Sequence, residues 1–191
     1  MTGRTHDLGA FTGLTLVFVQ IPLVEMTLAT MVAAVAANFI GGLAPDLDNS
    51  TSRIWKQIRG GSLIGKILAP IMGGHRMISH SLVGLFISGW LFEKFLGAIS
   101  DVLIVDMTIV WWAFMIGMAS HLVLDMVTKE GVPLLFPIPV EIGIPPVKRL
   151  RITTGKMIEK SIVFPGMMLL NGYLVFQNYG KVLDFLSNYL T

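Results

Sequence analysis

The 191-residue chain contains no cysteine, which removes disulfides, thiolate metal ligands and cysteine nucleophiles together. Charge is scarce too, at 14% of residues against roughly a quarter in a soluble domain. The formal net charge of +2 is too small to imply nucleic acid as a partner, and no basic stripe interleaved with aromatics suggests one. Only four histidines are present, so any metal site must combine them with Asp and Glu. What the chain has in abundance is apolar length. It is 53% hydrophobic with a mean hydropathy of +0.72, and its apolar runs are about as long as a hydrocarbon core is thick. These features define an all-α, polytopic integral membrane protein, expected to form one compact domain over residues 1–191.

Five hydrophobic segments are expected to span, at about 8–24, 26–44, 80–97, 103–127 and 161–178. The short basic start followed by an apolar run imitates a signal peptide. Because that run continues into "TLATMVAAVAANFIGGLA", a helical hairpin is expected instead of a cleaved leader. Two polar loops, 45–79 and 128–160, hold eleven of the fourteen basic residues, so the positive-inside rule puts both in the cytoplasm. The N-terminus is then cytoplasmic, and the tail "KVLDFLSNYLT" faces outward as an interfacial helix. The second loop carries five prolines between Pro133 and Pro146. It is not helical, and it is expected in the interface or as a hairpin against the helix ends.

The ionisable residues fall mostly at one face. His6 and Asp7 precede the first segment, Asp46 and Asp48 follow the second, and His75 and His80 precede the third. His121 and Asp125 close the fourth, and Glu159 precedes the fifth. His121 and Asp125 are four apart and share a helix face, which serves either as half of a metal site or as a hydrogen-bonded helix end. His75 and His80 would diverge by ~140° on one helix, so they converge only if "GGHRMIS" is a loop. Asp46 and Asp48 fit Asx turns or two carboxylates relieved by a cation. Asp106, near the outer end of the fourth segment, reads as a boundary residue. Arg76 and the group Lys148, Arg149 and Arg151 suit either phosphate binding or membrane anchoring. Ser79 and Ser81 lack the strand-turn-helix elbow of a serine nucleophile.

The blocks "THDLGAFTG", "PDLDN", "HRMISHS", "GMASHLVLDMVTKEGVPLLFP" and "RITTG", in that order over residues 5 to 160, resemble the YdjM-type family of bacterial inner-membrane proteins. That family is described as membrane-bound metal-dependent hydrolases with a LexA association. The resemblance implies a metal site of His6, Asp46, Asp48, His75, His80, His121 and Asp125, with Glu159 a further candidate. One departure is visible: the family commonly has Thr before the second histidine of its His-Arg block, and this chain has Ser79. The Pro-Ser-Gly-His block of PAP2-type lipid phosphatases and the His-x-x-x-x-Asp of glycerolipid acyltransferases are absent.

Seven or eight nitrogen and oxygen donors exceed what one ion requires, so a binuclear site for Zn²⁺ or Mn²⁺ is expected. The expected chemistry is attack of a metal-activated water on a phosphate ester. Asp48 or Glu159 would move the proton, and Arg76, with Arg149 or Arg151, would neutralise the substrate. The expected partners are membrane lipid and a small or lipid phosphoester. The alternatives are a metal-dependent transporter, or a non-catalytic regulatory or scaffold protein tied to the LexA (SOS) response. A transporter would place ionisable groups near the bilayer midplane, where almost none are found.

Overall fold

The computed structural model describes residues 1–20, 26–49 and 77–190, together with the single residues 55, 61 and 66. Six α-helices fall within them: α1 (Gly3–Phe18), α2 (Leu28–Leu43), α3 (Leu82–Ile99), α4 (Met107–Met126), α5 (Phe164–Gln177) and α6 (Tyr179–Leu190). A 3-10 turn, Ala44–Asp48, continues α2, and a π-helical turn, Glu159–Val163, leads into α5. Among the described residues there is no strand, only the two isolated bridges Thr128–Ile152 and Val132–Ile142.

Three helical stretches, Leu28–Asp48, Leu82–Ile99 and Met107–Met126, are long and apolar enough to cross a membrane. The 16 residues of α1 and the 14 of α5 are shorter. Large apolar side chains point outward along the bundle, among them Phe86, Ile104, Leu169 and Phe176, each more than 70% exposed. That distribution suits a solvent of lipid tails.

Helix α4 is central. It packs against α1, α2 and α3, while α5 lies on the far side of α1. Without a hydrophobic drive between helices in lipid, close approach depends on small residues, and α2 supplies them as Ala34, Ala37, Gly41 and Gly42. The contact is tight on both sides. A Cβ on Gly41 would lie 2.0 Å from the Phe114 carbonyl oxygen, and one on Gly117 would lie 2.0 Å from that of Asn38. Asn38 bridges the same interface by donating to the Ala113 carbonyl at 3.0 Å. On the other side of α4, Phe114 stacks on Phe92 of α3 with centroids 4.1 Å apart.

Helix starts follow their capping residues. Thr27 Oγ1 accepts from the Thr30 amide, Ser81 from Gly84, and Asp106 from Thr108 and Ile109, so Asp106 is an N-cap at the helix boundary. The proline-rich segment lies against the helix ends, as expected of a hairpin. Val132 and Ile142 exchange amide-to-carbonyl bonds, the Leu82 amide donates to Leu134, and Ile144 donates to Met126. Arg151 closes this loop by donating to the carbonyls of Gly143, Pro145 and Pro146 at 2.8–3.2 Å. Its guanidinium is therefore committed to backbone. At the opposite end of the bundle Lys181 of α6 donates to the Val19 carbonyl at 2.7 Å.

Candidate metal centre

The end of the bundle that carries the proline-rich loop gathers most of the ionisable residues singled out above. His121 and Asp125, one turn apart on α4, form its floor; His6 enters from the first turns of α1, Asp46 and Asp48 from the 3-10 turn after α2, and His80 from the turn before α3. His6, His80, His121, Asp48 and Asp125 are all buried to 3% exposure or less. His75 and Arg76 lie outside the described residues.

His121 shows how its position is set. Its Nδ1 is 2.6 Å from the Gly42 carbonyl, which fixes the proton on Nδ1 and turns the lone pair of Nε2 into the cluster. That Nε2 has no hydrogen-bond partner among the described residues. It lies 3.8 Å from Asp125 Oδ2 and 3.9 Å from Asp46 Oδ1. The His6 ring stacks on His121 with centroids 3.7 Å apart and planes 10° apart, and His80 meets His121 edge-on at 5.3 Å. The three imidazoles thus gather beside Asp46 and Asp125.

Asp125 faces two ways. Oδ1 lies 3.2 Å from His6 Nε2 and accepts a short bond from the Met1 amino group, while Oδ2 lies 3.6 Å from His80 Nε2. The Met1 nitrogen also lies 2.9 Å from His6 Nε2. Two sets of donors lie within 4.8 Å of one another: His6, His121 and Asp125, and Asp46, His80 and His121. Both could hold a divalent ion. Asp48 stands one step behind. It accepts a short bond from Ser79 and lies 3.7 Å from His80 Nδ1, with Ser79 Oγ 3.0 Å from the same nitrogen.

Glu159 belongs to an adjoining network. Its carboxylate accepts from the Thr2 amide at 2.7 Å, Thr5 Oγ1 at 2.6 Å and the Gly155 amide at 2.6 Å. Burial alone would raise this carboxyl, but the bonds from Thr5, Gly155 and Thr2 outweigh it and hold the group down at about 2. The sequence alone does not assign Gly42, Ser79, Thr2 and Thr5 to these supporting bonds. The sequence signals for two of them were the Gly-Gly pair at 41–42 and the hydroxyl adjacent to His80.

A helical membrane protein with a buried His/Asp group able to hold metal is the class that this fold and cluster define. Residues 1–183 match the family described as YdjM inner membrane protein, and the chain belongs to that family. It is also similar to an uncharacterized protein, YvsG, of Bacillus subtilis (strain 168), with 31% identity over 173 residues covering 91% of this chain and 93% of the relative. No solved structure matches it.

Proposed function

We propose that the protein is a membrane-bound metal-dependent hydrolase that cleaves a phosphate ester of a lipid or another membrane-associated substrate. The observation that carries this reading is His121, whose buried Nε2 lies within 4 Å of Asp46 and Asp125 and has no hydrogen-bond partner among the described residues. A buried polar atom left without a partner costs free energy unless a ligand takes it.

Imidazole and carboxylate donors suit Zn²⁺ or Mn²⁺. The two donor sets share the single Nε2 lone pair of His121 and so are alternatives for that ligand; a second ion would draw on Asp125, which presents one oxygen toward His6 and the other toward His80. A divalent ion bound here supplies a water of lowered pKa and a hold on an anionic oxygen. The remaining work falls to the chain. His6, Asp46, His80, His121 and Asp125 bind, with His75 as a further donor. Asp48 adds a donor or takes the proton, and Ser79 keeps it oriented on His80. Arg76 neutralises the charge of the phosphate. Glu159, whose carboxylate is already saturated with hydrogen bonds, anchors α1 in this scheme. Counting α1 and α5 as crossings gives five, and the basic loops then put the cluster at the cytoplasmic face of the inner membrane.

Elemental analysis of protein purified in detergent tests the reading. His121→Ala and Asp46→Ala should each lose metal, while Asp106→Ala at the other end of α4 keeps it. The same preparations should release phosphate from a lipid phosphoester in step with their metal content. Full metal occupancy in both ligand variants, or equal loss in Asp106→Ala, overturns the site. Metal-loaded protein inert on every phosphoester tried overturns the hydrolase and leaves the site standing.

A further inference from the structure

We infer that the cavity between the start of α1 and the start of α5 binds the phosphate of an anionic phospholipid. This cavity of about 590 Å³ is lined by Thr2, Gly3, Arg4, Thr5, Lys160 and Phe164, within the usual size range of small-ligand sites. It is separate from the metal cluster, although Thr5 on its wall is followed directly by His6. The inference does not rest on the hydrolytic reading.

Its charge is one-sided. Arg4 of α1 and Lys160 of the π-turn both line it, both are exposed, and neither has an acidic partner among the described residues. The Glu159 carboxylate, next to Lys160 in sequence, is 1% exposed and bonded to Thr2, Thr5 and Gly155. The first turn of α1 has no acidic residue of its own; the Glu159 carboxylate answers the helix start through the Thr2 amide, and Arg4 lines the cavity beside it. Two cations without an acidic partner that line one cavity are stabilised by an anionic group between them, whereas the Thr5 hydroxyl and the Thr2 amide on its wall are already given to Glu159.

The apolar side identifies the source of that anion. Phe164 closes the cavity, and from it a lipid-facing strip runs along the π-turn and α5 through Ile162, Met168 and Leu169, exposed by 66%, 56% and 75%. A molecule with its phosphate between Arg4 and Lys160 and its acyl chains along that strip satisfies both surfaces. A soluble phosphate satisfies only the first.

The test is binding of defined ligands to the full-length protein in neutral detergent, followed by native mass spectrometry. The ligands are phosphatidylglycerol, phosphatidylcholine with the same chains, and glycerol phosphate. Phosphatidylglycerol should bind more tightly than the other two. Arg4→Gln and Lys160→Gln should each weaken it about fivefold and the double variant by about the product, given the usual contribution of one basic residue at an anionic membrane surface. Arg4→Lys, which keeps the charge, should stay near wild type, and helical circular dichroism should be unchanged throughout. The charge-matched pair Lys148→Gln and Arg149→Gln should leave binding within twofold. Equal loss in that pair shows diffuse attraction and overturns the site. Equal affinity for glycerol phosphate overturns the lipid as its occupant, and unchanged binding in the Arg4 and Lys160 double variant overturns the inference altogether.

Discussion

Adding one methyl group at Gly117 should disrupt the proposed metal site from a position that supplies no ligand to it. A Cβ there would lie 2.0 Å from the Asn38 carbonyl oxygen and 2.9 Å from the Gly42 amide nitrogen. Ordinary contact begins at 3.4 Å, so α2 and α4 must separate locally by about 1.4 Å. Both obstacles are backbone, which no rotamer change relieves. Metal ligands tolerate errors of only about 0.2 Å, and the displaced segment includes Gly42, whose carbonyl orients His121 at 2.6 Å. Loss of such an orienting bond typically lowers metal affinity 10–100-fold, and overpacking costs about 1–3 kcal/mol. Gly117→Ala should therefore bind Zn²⁺ at least tenfold more weakly by competition with a chelator, and melt several degrees lower in the same detergent. Gly166→Ala and Gly172→Ala are the controls, since an added Cβ meets nothing within 4 Å at either position. If Gly117→Ala binds metal within twofold of wild type, the close approach of α2 and α4 does not set the cluster, and the reasoning is wrong.

Other outcomes follow from the geometry. Glu159→Gln should destabilise the protein at neutral pH. The folded carboxyl titrates at about 2 against an ordinary 4.5, so its contribution is complete above about 4.5 and lost as pH falls through 2. The melting difference from wild type should accordingly shrink across that window, and a constant difference refutes the linkage. Arg151→Lys should loosen the loop closed on Gly143, Pro145 and Pro146, because an ammonium lacks the planar fork; faster proteolysis between 131 and 151 with unchanged metal content is the expected result. Arg76→Ala should spare metal content while lowering turnover of an anionic substrate, and metal loss equal to that of His121→Ala would make it structural. A reporter fused after Thr191 should be active only outside the cytoplasm.

Much of the cluster was legible in the sequence because its residues lie in short local patterns. The i, i+4 pair His121 and Asp125, the Pro-Asp-x-Asp turn and the single His6 each signal a helix end, and one end of the bundle collects them. The supporting bonds were not legible, since they join segments with no common period. Gly42 serves His121 from 79 residues away and Thr5 serves Glu159 from 154 residues away. Arg151 carried the same ambiguity as any loop cation, and only its three carbonyl partners assign it to the fold. Hydrophobic run length foresaw the helices yet overstated some of them: 161–178 opens as a π-helical turn at Glu159–Val163, and α5 proper begins at Phe164.

The Gly42–His121 bond also has a consequence for biogenesis. The donors of the cluster arise at residues 6, 46, 80, 121 and 125, so a nascent chain emerging from a ribosome possesses no complete set until α4 has left the insertion machinery and docked on α2. Before that moment His121 lacks the carbonyl that selects its tautomer. On the proposed reading of the cluster as a metal site, loading is thereby ordered after membrane insertion. A chain arrested before residue 121 should remain metal-free however much metal the cell supplies, whereas a chain released after α4 should acquire it without further synthesis.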